Sequence, residues 1–150
     1  DEVPSRGLGD VYKRQICLIE DDESLRFTIK EILEKQNVQI MEAENGKVGM
    51  DILQNEEIKP DLILLDLMMP VMNGFEFLKA IRETELNSIP ILVLTGAELS
   101  GDEKTFLLGE TQRILEKSED TMSTIVNEVS NVIKASSFKN GDNKWQRYYM

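Results

Sequence analysis

Apolar and polar positions alternate along this chain in two rhythms. Short unbroken apolar runs occur at "ICLI" (16–19), "LILLD" (62–66) and "PILVLTG" (90–96). "VQIMEA" (38–43) and "QRILEK" (112–117) are weaker runs of the same length. Between them lie segments of helical period. "DDESLRFTIKEILEKQN" sets Leu25, Ile29, Ile32 and Leu33 on one face, and "KVGMDILQNEE" follows the turn at "ENG". "GFEFLKAIRET" sets Phe75, Leu78 and the stem of Arg82 on one side. "GDEKTFLLGE" is a short, weakly amphipathic helix, and "SEDTMSTIVNEVSNVIKAS" is a long one with Ser118 or Glu119 at its cap. Five strands alternating with five helices predict an α/β fold, a parallel sheet covered on both faces. The runs "LILL" and "ILVL" lack polar alternation, as strands buried on both sides should.

Composition narrows the function. The 150 residues carry 28 acids against 17 bases, for a net charge of -11, and such a surface repels phosphate backbones. Direct nucleic-acid binding is therefore not expected. The absence of histidine removes imidazole bases, most zinc sites and any phosphohistidine formed on this chain. Cys17, the single cysteine, reads as a small core residue in a reducing, cytoplasmic setting. No apolar run approaches a membrane span. The ends read differently from the middle. "DVYKRQ" within residues 1–15 resembles the translation of a sequencing-library transposon end, so 1–15 is expected to be a non-native or disordered leader. The domain is expected over 16–135, with a disordered or truncated tail over 136–150.

In a parallel sheet, ligands bind beyond the carboxyl ends of the strands. Here those ends are Glu20-Asp21-Asp22, Asp66, Thr95 and Glu116-Lys117. Carboxylates about 4 Å apart repel by roughly 4 kcal/mol at an effective dielectric near 20. A bound Mg²⁺, which takes hard oxygen ligands, reverses that sign. A neighbouring lysine and hydroxyl suit a phosphoryl group. Each residue alone has a plainer reading. Glu20 to Glu23 complement a helix dipole, Asp66 starts a turn, Thr95 is an ordinary strand residue, and a lone lysine is solvated. Met68, Met69 and Met72 read as loop or rim packing.

Taken together, the acidic pair in "LIEDD", Asp66 in "LLDLMMPVMNG", Thr95 in "VLTG" and Lys117 in "RILEK" resemble the receiver domain of two-component response regulators. The resemblance implies a doubly wound, flavodoxin-like sheet of order 2-1-3-4-5. It implies that Asp66 accepts a phosphoryl group from the phosphohistidine of a histidine kinase or phosphotransfer domain. Asp21 and Asp66 would bind Mg²⁺ directly, Glu20 through water, and Met68 through its backbone carbonyl. Lys117 would pair with the phosphoryl oxygens and Thr95 would move to hydrogen-bond them, changing affinity for a downstream protein target. Such a domain assists its own phosphorylation and dephosphorylation and is not a turnover enzyme.

The chain departs from the family pattern at two positions. Ser118 stands where most receivers have a proline, and Ile114 where many carry a switching aromatic. "LTGAELSGDE" and "RILEKSE" look like receivers of hybrid sensor kinases. Two other functions compete. A degenerate receiver would act only as a protein-interaction module. A haloacid-dehalogenase-type hydrolase would need a second acid where this chain has Met68.

Overall fold

The computed structural model describes residues 13–55, 59–117 and 121–139. In chain order the elements are β1 (Arg14–Ile19), α1 (Glu23–Glu34), β2 (Val38–Ala43), α2 (Gly46–Asn55), β3 (Leu62–Asp66), α3 (Gly74–Arg82), β4 (Ile91–Thr95), α4 (Gly101–Glu110), β5 (Arg113–Glu116) and α5 (Thr121–Lys139). The strands form one sheet in the order β2-β1-β3-β4-β5, with every neighbouring pair parallel. This is the expected doubly wound order.

Successive side chains on a strand point to opposite faces, and the apolar runs use both. Cys17, Ile19, Ile63, Leu65 and Val93 pack on one face with Leu53, Phe77 and Leu107 from α2, α3 and α4. Ile16, Leu18, Leu62, Leu64, Leu92 and Leu94 pack on the other with Ile29, Leu33, Ile125 and Val129 from α1 and α5. Both β3 and β4 are buried throughout, so an unbroken apolar run is the sequence signature they had to have.

Two expectations are corrected. The chain enters the sheet at Arg14, not after residue 15. Gln15 donates its N–H to Asp61 Oδ2 at 2.8 Å, Asp61 donates back to the Gln15 carbonyl at 2.7 Å, and Arg14 pairs with Asp61 at 3.8 Å. These polar ties carry no apolar signal, so the pattern hid them. In α3 the buried face is Phe77, Leu78 and Ile81, while Phe75 is half-buried and Arg82 exposed. The capping box of Asn73 and Glu76 fixes the phase of this nine-residue helix. Arg82 instead reaches α4, where it pairs with Glu110 and lies 5.7 Å from the centre of the Phe106 ring. The expectations for residues 1–12, for Ser118 and Glu119 and for 140–150 fall outside the described residues; α5 itself runs past 135 to Lys139.

The loop between β3 and α3 is tightly held. Gly74 donates to the Leu67 carbonyl at 2.9 Å, and a Cβ there would sit 2.7 Å from Leu67 Cα and 2.8 Å from the Asp66 carbonyl oxygen. Only glycine allows this approach. Met69 turns into the core, whereas Met68 stays exposed. Met72 donates to the Pro70 carbonyl at 2.7 Å, closing a three-residue turn in which Val71 has φ 68°. A β-branched residue in that region stores about 1–3 kcal/mol. Val71→Gly relieves the strain but loosens the unfolded chain by up to about 1 kcal/mol. The relief wins, and the variant should unfold at higher denaturant, with a net gain of about 1 kcal/mol; an unchanged or lower midpoint would show that the turn is unstrained.

Candidate functional site

The chain crosses from β1 to β2 on one side and returns from β2 to β3 on the other, and the site lies beyond the ends of the central strands β1 and β3. β1 delivers Glu20 and Asp21, and β3 delivers Asp66. Asp22 then caps α1, accepting from the Leu25 N–H at 3.0 Å, which turns the chain away and leaves Asp21 exposed at the rim. The edge strand β5 delivers Lys117, whose N–H donates to the Thr95 carbonyl at 2.8 Å.

Glu20 is 0% and Asp66 1% exposed. The Lys117 ammonium lies 3.1 Å from Glu20 Oε1 and 3.3 Å from Asp66 Oδ1, and donates to Glu20 Oε2 at 3.3 Å. Asp66 Oδ1 also accepts from the Met68 N–H at 3.3 Å. Asp66 Oδ2 is buried with no donor, and Glu20 Oε1 is close to the ammonium but outside hydrogen-bonding alignment. One oxygen each from Glu20, Asp21 and Asp66 lie within 4.8 Å of one another. At that spacing each like-charge pair costs roughly 3 kcal/mol in a dielectric near 20, and one ammonium cannot neutralise three carboxylates.

Burial, then the charge of Glu20 and the nearby Asp21, push the Asp66 carboxyl up to about 7 from 3.8, against Lys117 and the Met68 N–H. Burial draws Lys117 down, but Glu20 and Asp66 outweigh it and hold the ammonium above its usual range. The cluster is therefore short of positive charge. Its oxygens are hard donors, one of them buried without a partner, and they open on a cavity of about 400 Å³ shared with Met68, Gly96, Ala97 and Lys117. That donor set fits Mg²⁺.

Thr95 is 1% exposed at the end of β4. Its hydroxyl accepts from the Ala97 N–H at 3.1 Å, over the following turn. With Ile114, Leu108 and Lys117 it borders a neighbouring cavity of about 530 Å³. Glu20, Asp21, Asp66, Met68 and Lys117 thus come together as the sequence suggested, with Thr95 one step aside. One contributor was missed. Arg26 in α1 donates to the Glu20 carbonyl at 2.7 Å, and only its basic charge just after an acidic turn could have marked it.

Residues 16–130 match the response regulator receiver domain family. The chain belongs to that family. The transcriptional regulatory protein CpxR of Escherichia coli is 38% identical over 85 residues, covering 57% of this chain and 35% of CpxR. The hybrid signal transduction histidine kinase I of Dictyostelium discoideum is 35% identical over 100 residues, covering 63% of this chain and 6% of the kinase. The receiver domain of a LuxO repressor from Vibrio parahaemolyticus superposes with a TM-score of 0.76 at 23% identity, over 85% of this chain and 95% of that one, a likeness of fold. This chain thus spans about a third or less of the curated relatives named, and what it holds in common with them is the receiver. Receivers bind Mg²⁺ at an acidic site, which is the kind of site found here. No described helix is long and apolar enough to cross a membrane.

Proposed function

We propose that this receiver is a phosphorylation switch in which Asp66 takes a phosphoryl group from the phosphohistidine of a histidine kinase or phosphotransfer protein. The observation that carries it is the buried Asp66 carboxylate, with one oxygen held by Lys117 and the Met68 N–H and the other without a donor. Lys117 and the Met68 N–H hold one oxygen of the carboxylate and leave the other unpartnered at the wall of the cavity. An Asp66 oxygen bonds to phosphorus as the phosphorus–nitrogen bond to the donor imidazole breaks, and the imidazole, already protonated on its other ring nitrogen, takes the bonding electron pair and leaves neutral. Lys117 exchanges part of its pairing with Asp66 for the new phosphoryl oxygens, and Thr95 turns its hydroxyl from the Ala97 N–H toward them. Asp21, Asp66 and the Met68 carbonyl would hold Mg²⁺ directly and Glu20 through water, supplying charge that neutralises the transferring group. The rearranged loop after β4 then alters the surface offered to a downstream protein, a population shift driven by one new dianion. We assign this activity to the cytoplasm, in keeping with the buried free thiol of Cys17.

The completeness of the acid and lysine set supports this reading over a pure interaction module. The test is intact mass after incubation with acetyl phosphate, with and without Mg²⁺. A Mg²⁺-dependent adduct that hydroxylamine removes identifies an aspartyl phosphate. A folded protein that takes no adduct from acetyl phosphate or from a phosphohistidine donor would sink the switch and leave the interaction module.

A further inference from the structure

The side chain of Arg26 holds the backbone just before Asp21. Its Nη1 donates to the Glu20 carbonyl at 2.7 Å, while the backbone N–H of residue 26 makes the ordinary helical bond to the Asp22 carbonyl at 2.8 Å, which every substitution here keeps. The guanidinium is anchored in turn: Nε donates to Glu42 Oε1 at 3.2 Å, and Glu42 Oε2 pairs with Lys30 at 3.0 Å. Glu42 lies on β2 next to Ala43, whose carbonyl accepts the Glu20 N–H at 3.0 Å. The acidic turn is therefore tied to the neighbouring strand twice, once through backbone and once through Arg26 and Glu42. Asp22 closes the frame by donating its N–H to Glu20 Oε2 at 3.1 Å. Of the acids in the cluster, Asp21 is the exposed one, and its position depends on this frame because it is not packed in the core.

We infer that Arg26 is a positioning residue for cation binding, fixing the Glu20–Asp21–Asp22 backbone so that Asp21 and Glu20 face Asp66. This rests on the reading of the cluster as a Mg²⁺ site. A positioning role and a simple charge effect predict opposite signs. Arg26 is a cation beside an acidic cluster, so removing its charge should tighten Mg²⁺ binding if charge is all that matters. If Arg26 fixes geometry, removing it should weaken binding, as happens when partners that orient metal ligands are lost. Lysine keeps the charge but lacks the fork that reaches the Glu20 carbonyl and Glu42 together.

The experiment is calorimetric titration with Mg²⁺ alone of the wild type, Asp21→Asn, Arg26→Gln and Arg26→Lys, each first shown to be folded by thermal melting. Asp21→Asn tests the site itself: a wild type that binds no Mg²⁺, or an Asp21→Asn that binds it equally well, overturns the cluster as a cation site and this inference with it. Given a working site, about a tenfold loss of affinity is expected in Arg26→Gln, and a loss in the same direction in Arg26→Lys. Wild-type or tighter binding by Arg26→Gln overturns the positioning role while leaving the site intact. Arg26→Lys, which retains the charge, carries the same decision if the glutamine variant fails to fold: weaker binding supports positioning, and unchanged binding overturns it.

Discussion

Asp66→Asn should take no phosphoryl group from acetyl phosphate in the presence of Mg²⁺, and should nonetheless be more stable than the wild type without metal. The first effect is chemical, since an amide offers no carboxylate nucleophile at the one position where β3 presents it. The second follows from the crowding of Glu20, Asp21 and Asp66. The folded Asp66 titrates at about 7 instead of 3.8, so between those values the folded protein holds a proton that the unfolded chain has lost. Stability of the metal-free protein therefore falls as pH rises from about 4 to 7. Asparagine removes that component, leaving the variant more stable at neutral pH by on the order of 2 kcal/mol. Intact mass and thermal melts across this pH range check both claims. An adduct at the wild-type level would remove Asp66 as the acceptor, and an unchanged pH slope would remove it as the strained acid.

Lys117→Met should have the largest destabilising effect of any single change at the site. Glu20 and Asp66 are both buried, and the ammonium is their shared counter-charge. Removing one partner of a buried pair commonly costs 3–5 kcal/mol. Here the lysine side chain is 26% exposed and Asp66 is able to take up a proton, so roughly 2–3 kcal/mol is expected. A divalent cation would meet the same unpaired charge. The variant should therefore bind Mg²⁺ more tightly than the wild type, and each tenfold difference in Kd narrows the stability gap by about 1.4 kcal/mol at saturating Mg²⁺. Urea melts with and without Mg²⁺ decide it: a Lys117→Met protein as stable as wild type, or one that gains no more from Mg²⁺ than the wild type does, would mean that the lysine does not balance these acids.

The central sheet was legible because strands buried on both faces must be apolar at every position, and a carboxylate ending such a run stands out. That logic found Asp66 and Glu20 without any three-dimensional information, and the family resemblance supplied the strand order. It could not find Arg14 and Gln15, which join β1 through polar bonds to Asp61. Nor could it fix the phase of α3, because nine residues at helical period admit two faces and the Asn73 cap selects between them. Arg26 escaped for a different reason. Its partner is a backbone carbonyl six residues earlier, and backbone groups leave no trace in side-chain patterning. Val71 escaped too, since nothing in a β-branched residue announces a positive φ.

The weakly amphipathic α4 has a consequence of its own. It sends one fully buried side chain, Leu107, into the core. Phe106 packs partly buried against the same core, and further ties run sideways to α3, through Phe75 against Phe106 with ring centres 6.3 Å apart and through Arg82 against Phe106 and Glu110. Helices with so little buried surface open locally at a small fraction of the global unfolding free energy. The opening of α4 is thus set largely by residues outside it, and part of that control is an exposed ion pair that ionic strength weakens. Phe75 follows Gly74, which sits against the backbone of Asp66. A helix with this little buried surface is therefore fastened one residue away from the loop of the acceptor.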